Sequence, residues 1–110
     1  MTASPLVISR RLAIQLLHEA QVAAPAAIDG IVTALGSEPG RYLPAAQALG
    51  QAVWARVFSN PSAAAVPAAT ELFEGVLTLM ISLNTKGVLE LRAWVQQGGA
   101  ALERPVSITD

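Results

Sequence analysis

The chain has 110 residues, 53% of them hydrophobic and 14% charged, with a formal charge of −1. That balance is too apolar for intrinsic disorder and too near neutral to attract nucleic acid or an anionic membrane surface. There is no cysteine and one histidine, His18, which excludes disulfides, thiolate nucleophiles and the His/Cys-rich sites that hold most catalytic zinc. Residues 1–110 read as a single domain, long enough to bury a core of its own.

In chain order, Arg10 and Arg11 interrupt the only apolar stretch at the start, so no signal peptide is expected and the chain reads as mature and soluble. Leu6 to Ile8 is a short strand, and Ser9 offers a hydroxyl to cap a helix. Leu12, Ala13, Leu16, Leu17 and Ala20 repeat at helical spacing and predict a helix from Arg10 to Val22, ended by Ala24-Pro25. Ile28 to Leu35 predicts a strand, and Gly36 to Gly40 a turn. Pro44 to Gln51 predicts one or two helical turns. Val53 to Ser59 is rich in β-branched and aromatic residues and predicts a strand. Asn60-Pro61-Ser62 reads as a loop, and Ala68 to Glu74 as a short helix. Val76 to Leu83 places Leu77, Leu79, Ile81 and Leu83 on one face of a strand. Asn84 to Gly87 predicts a turn, Val88 to Val95 a strand and Gly98-Gly99 a second turn. Leu102 to Ile108 predicts a last strand, pushed to a sheet edge by Pro105. The pattern is a β-α-β start followed by an antiparallel meander, an α+β domain.

The sequence has no Walker A loop, no G-x-G-x-x-G, no G-x-S-x-G and no H-E-x-x-H. His18 falls on the polar side of its helix beside Glu19 and reads as a solvated side chain. Trp54 and Trp94 fall in strands and read as core or sheet-face residues. No pair of carboxylates stands out for acid–base work.

One segment carries a motif-like spacing. VFSNPSAAAVPAATE runs Phe58-Ser59-Asn60, then seven residues from Pro61 to Pro67, then Ala68-Ala69-Thr70-Glu71. This resembles the JAMM motif, H-[ST]-H-x7-S-x-x-D, of the JAB/MPN metalloprotease family, including the Pro after the second His. ISRRLAIQLLHEAQVAAPAAIDGIV and VLTLMISLNTKGVLELRAW are similar to flanking stretches of the short bacterial members. The likeness is collective and covers most of the chain. It implies a JAB/MPN-like, cytidine-deaminase-like mixed sheet packed against an N-terminal helix and ending in an antiparallel meander. The region from Gly36 to Val53 is shorter than in the family, which implies a trimmed middle helix.

In active members the two His and the Asp bind zinc, an upstream Glu is the general base and the Ser supports the oxyanion. Carried over by position, these roles fall on Phe58, Asn60, Glu71, Ala27 and Ala68, and Asp29 takes the place of a family Cys. Phe58 has no lone pair and Asn60 only a neutral amide oxygen, so no zinc is expected and none of these positions is catalytic. A hollow that is polar in active members is expected to be filled by Phe58. The resemblance implies a pseudoenzyme that binds a protein or peptide, such as the tail of a ubiquitin-like sulfur carrier; with no targeting or membrane segment read in the sequence, a cytoplasmic location is expected. Sheet edges near Val53 to Ser59 or Leu102 to Ile108 would accept an extended strand. Two alternatives are a hydrolase rebuilt around an oxygen-rich Mg2+ or Mn2+ site from Glu71, Asp29, Glu74 and Asn60, and an oligomerisation subunit forming a homodimer.

Overall fold

The computed structural model describes residues 5–61, 65–67, 72–83 and 90–109. Strand β1 (Leu6–Ser9) runs directly into helix α1 (Arg10–Ala23). The handover is made by Ser9, whose Oγ accepts a hydrogen bond from the Leu12 N–H at 3.1 Å and satisfies one of the free donors of the first turn. Leu12, Ala13, Leu16 and Ala20 are buried along one stripe of α1, and His18 is exposed on the other side. The helix stops where expected, because Pro25 holds Ala24 in extended backbone with ψ 141°.

Strands β2 (Asp29–Leu35), β3 (Glu38–Pro44), β4 (Val53–Asn60), β5 (Leu77–Ser82), β6 (Glu90–Gln97) and β7 (Ala100–Arg104) form one six-stranded sheet in the order β3-β2-β4-β5-β6-β7. The β4–β5 pair is parallel and every other neighbouring pair is antiparallel. Strand β8 (Val106–Thr109) leaves the sheet and pairs in parallel with β1. The two-stranded β1–β8 ribbon and α1 together cover one face of the sheet.

Alternation along each strand sorts the side chains between two faces. Leu6, Ile8, Leu12, Leu16, Val32, Ala55, Val57, Leu79, Ile81 and Ala93 form the main core between the sheet and α1. Full burial of each Leu or Ile contributes roughly 1.5–3 kcal/mol. Leu77 and Leu83 pack on the same core, as their spacing predicts. The opposite, outer face carries a smaller cluster of Phe58, Ala65 and Met80, with Trp94 packed against it.

The structure corrects several sequence expectations. The turn predicted over Gly36 to Gly40 is only Gly36-Ser37, and Glu38 already starts β3. Pro39 and Gly40 disguise this strand. Pro39 is tolerated because β3 pairs with β2 alone and forms a sheet edge. Gly40 is required because a Cβ there would collide with the Thr33 hydroxyl at a bulge. Of the one or two helical turns expected over Pro44 to Gln51 there is one, the 3-10 turn Ala45–Gln47. The last strand, predicted over Leu102 to Ile108, is two strands: Pro105 breaks it, and its carbonyl accepts from the Leu6 N–H at 2.7 Å. Leu72 to Glu74 is not helical, whereas 68–71 lie outside the described residues, as does the turn expected over Asn84 to Gly87. Strand β4 lies between β2 and β5, so Val53 to Ser59 offers no free edge; the edges are β3 and β7.

Gly30 on β2 sits beneath the ring of Tyr42 on β3. A Cβ at Gly30 would lie 2.7 Å from that ring and would strike the Leu43 carbonyl. Gly30→Ala is therefore expected to destabilise the fold by about 1–3 kcal/mol through overpacking, read as a lower midpoint in urea unfolding. Tyr42, the only tyrosine, is buried, and that burial raises its phenol pKa, with Glu19 and Asp29 adding to the effect. Its neutral form stabilises the fold below the unfolded phenol value of roughly 10, and this contribution is lost as pH rises through the higher folded value. Ultraviolet titration of the native protein is expected to show a phenolate midpoint above that of the urea-unfolded chain.

Candidate functional site

The outer face is the side of the sheet from which Arg56, Phe58 and Asn60 of β4 project. The register sets two rows across it. Asp29, Phe58, Met80 and Arg92 are successive partners in one, and Ile31, Arg56, Thr78, Trp94 and Glu103 in the other. The connection from β4 to β5 crosses this face. Ala65 within it is fully buried against Phe58 and Met80, and its carbonyl accepts from Trp94 Nε1 at 3.0 Å.

Phe58 is 8% exposed. The guanidinium of Arg56 lies over its ring, 5.0 Å from the centroid, and over the ring of Phe73 at 4.5 Å. Phe73 is delivered by the end of the crossing segment, which is fastened to the far side of the sheet. The Glu74 carboxylate accepts from the Gly98 and Gly99 N–H groups at 2.9 and 3.3 Å, and the Gly75 N–H donates to the Gln96 carbonyl at 2.9 Å. Arg56, Phe73, Val53, Val76, Ala45, Ala48, Ile31 and Asp29 line a cleft of about 510 Å3. Its walls are apolar apart from the Arg56 guanidinium and the exposed Asp29 carboxylate.

A second stack lies further along the face. Arg92 sits over Trp94 at 5.0 Å and makes a bidentate pair with Glu103, Nε to Oε2 at 2.7 Å and Nη2 to Oε1 at 2.5 Å. Those hydrogen bonds hold the Glu103 carboxyl below its ordinary pKa and raise that of Arg92. The pair is largely exposed, so its worth to stability stays near the 0.2–1 kcal/mol typical of surface pairs, roughly. Thr78, fully buried between the Arg56 and Trp94 strands, has a hydroxyl with no hydrogen-bond partner.

The motif-like positions are brought only partly together. Phe58 and Asn60 share the outer face of β4, and Asp29 pairs directly with Phe58 across β2. Ala27 is exposed just before β2, and Ala68 and Glu71 lie outside the described residues. Glu74 is committed to the β6–β7 turn, so it does not join Asp29 and Asn60 in an oxygen-rich site. Among the described residues no group of three His, Asp or Glu side chains converges in a way that could hold a metal ion.

Two structural features of this region are not visible in the sequence. Arg56 and Phe73 are seventeen positions apart and meet only through the crossover. Ser59, the middle residue of the motif-like triplet, turns inward and clasps the entry to β2. Its Oγ accepts from the Ile28 N–H at 2.7 Å and its own N–H donates to the Ile28 carbonyl at 3.1 Å. Ser59→Ala would leave the part-buried Ile28 N–H without its acceptor. A loss of about 1–3 kcal/mol is expected in chemical unfolding, together with faster amide exchange at Ile28.

No protein-family model matches the sequence, and no curated protein matches it. Solved structures do. Protein DSY2949 from Desulfitobacterium hafniense superposes with a TM-score of 0.72 at 13% identity, over 94% of this chain and 92% of that one. AF2198, a JAB1/MPN domain protein from Archaeoglobus fulgidus, gives 0.65 at 18% identity, over 96% and 100%. A structure described as JAMM, a metalloprotease-like zinc site in the proteasome and signalosome, gives 0.65 at 15%, over 96% and 99%. The likeness at these identities is one of fold: a small MPN-like domain spanning nearly the whole chain. No described helix is long and apolar enough to cross a membrane.

Proposed function

With an MPN-like fold as its frame, we propose that this domain is a catalytically inactive member of the JAMM metallopeptidase design, within the wider cytidine-deaminase-like group, that acts by binding a protein or peptide. The observation that carries this reading is the seat of Phe58. It stands where the resemblance puts the first zinc-binding His, has no lone pair, and is buried beneath the Arg56 guanidinium. A fixed positive charge 5.0 Å from that ring opposes a divalent cation at the same place. Asn60 adds only a neutral oxygen, a weak zinc ligand. The residues present do not fit zinc. Without a bound metal no group here lowers the pKa of water to neutrality, and Ala27 and Ala68 supply neither base nor hydroxyl.

Binding needs none of those groups. The free margin of β7 can take up an extended strand by main-chain hydrogen bonding, and the tail of a ubiquitin-like sulfur carrier is the partner favoured by the resemblance. A cytoplasmic setting, with which the absence of cysteine is compatible, is part of the same reading. The rebuilt hydrolase is disfavoured because Glu74 is already engaged by two backbone donors.

The test has two arms. Protein grown with excess zinc and dialysed is expected to carry far less than one equivalent of any divalent metal by elemental analysis. Addition of a ubiquitin-like sulfur carrier is expected to shift amide resonances on the outer face or along β7. Stoichiometric zinc, or a spectrum unchanged by the carrier, counts against the proposal.

A further inference from the structure

The cleft between β2, β4 and the Phe73 arm has a chemistry of its own. Ring contact engages the π system of the Arg56 guanidinium, and its in-plane N–H donors make no hydrogen bond among the described residues. Arg56 forms no ion pair among the described residues, and it is half-buried beside two rings that restrict its motion. A planar fork held this way matches a carboxylate in bidentate geometry. Around it the cleft is apolar, and two large hydrophobic side chains at its margin, Val53 and Phe73, are 48% and 46% exposed. Exposed apolar surface at a concave site marks a place where a ligand is met. Asp29, two residue pairs from Arg56 along the β2–β4 ladder and on the same face, adds a negative charge at the mouth. That charge repels a second anion and favours a ligand with a hydrogen-bond donor close to its carboxylate.

We infer that this cleft binds the free C-terminal end of a peptide or protein whose last residue is apolar. The terminal carboxylate pairs with Arg56, the last side chain enters the apolar cleft, and an amide N–H of the same chain end donates to Asp29. The inference rests on the binding role proposed above and narrows it: it selects a chain end that bears an apolar side chain.

The experiment uses the whole protein, 15N-labelled and followed by NMR, with four probes. These are acetyl-Ala-Ala-Leu as the free acid, the same peptide as its C-terminal amide, acetyl-Ala-Ala-Gly as the free acid, and 4-methylpentanoate. The Leu acid is expected to shift the Arg56 side-chain resonance and the Asp29 and Ile31 amides. The amide and the Gly peptide should bind at least tenfold more weakly, and 4-methylpentanoate, lacking an amide, several-fold more weakly. Arg56→Gln should remove the preference for acid over amide, and Asp29→Asn should retain it. The acid–amide comparison on the unaltered chain stands even if Arg56→Gln does not fold. Equal binding of acid and amide, binding of 4-methylpentanoate as tight as the peptide, or the absence of shifts at Arg56 would overturn the inference. A sulfur carrier that shifts only β7 would remove it and leave the broader binding role intact. A clear acid preference with no response to the carrier would support it and remove only the carrier as partner.

Discussion

The parallel pairing of β4 with β5 is the constraint from which the rest of the molecule follows. Antiparallel neighbours can be joined by a short turn, but parallel ones need a connection that travels back along the sheet. Here that connection is residues 61–76. One face of the sheet is already occupied by α1 and the β1–β8 ribbon, so the connection crosses the other. It brings Ala65 down onto Phe58 and Met80, and Phe73 up to Arg56. The cleft lies between Phe73, at the end of that connection, and the 3-10 turn, with Ile31 at its floor and the exposed Val53 and half-buried Arg56 on its walls.

Within that face, charge and hydrophobicity have been arranged differently from what a metal centre needs. A zinc site wants lone pairs converging on a point and a local excess of negative charge. The outer face instead alternates arginine with aromatic rings: Phe73, Arg56 and Phe58 near the cleft, Arg92 and Trp94 further along. One of these cations is neutralised by Glu103 and the other forms no ion pair among the described residues. The difference matters, because the Arg92 fork is already filled by a carboxylate in bidentate geometry whereas, among the described residues, that of Arg56 is not.

Much of the architecture was legible in the sequence because its signals are local. The stripe of Leu12, Leu16 and Ala20 and the alternation of Leu77, Leu79 and Ile81 describe surfaces that pack on the core, and the Ser9 hydroxyl caps the helix as its position predicts. Strand β3 was hidden because Pro39 and Gly40 have the composition of a turn. Only the edge position and the close approach of Thr33 explain why a strand holds them. The division of the last strand depends on Pro105 handing the chain from β7 to a partner, β1, that lies at the other end of the sequence. The spacing around Phe58 and Asn60 pointed to the outer face of β4, where both residues lie. It could not reveal the Arg56–Phe73 contact, since nothing local links a residue in β4 to one beyond the crossover, nor the inward turn of Ser59.

The ribbon of β1 and β8 sets Leu6 opposite Val106, one hundred positions apart. Closing so wide a span carries an entropic penalty that grows with the logarithm of the span, about 0.6 kcal/mol for each doubling. The sheet hairpins are closed by much shorter loops. Helix α1 forms from its own sequence, yet half of its seat is this ribbon, through Leu6 and Ile8. Loop closure alone therefore favours an order of assembly in which the hairpins zip first and the ribbon, with α1 docked on it, seals last. The element most plainly written in the chain is thus the one that waits longest for its place, and unfolding would begin by peeling that same seam.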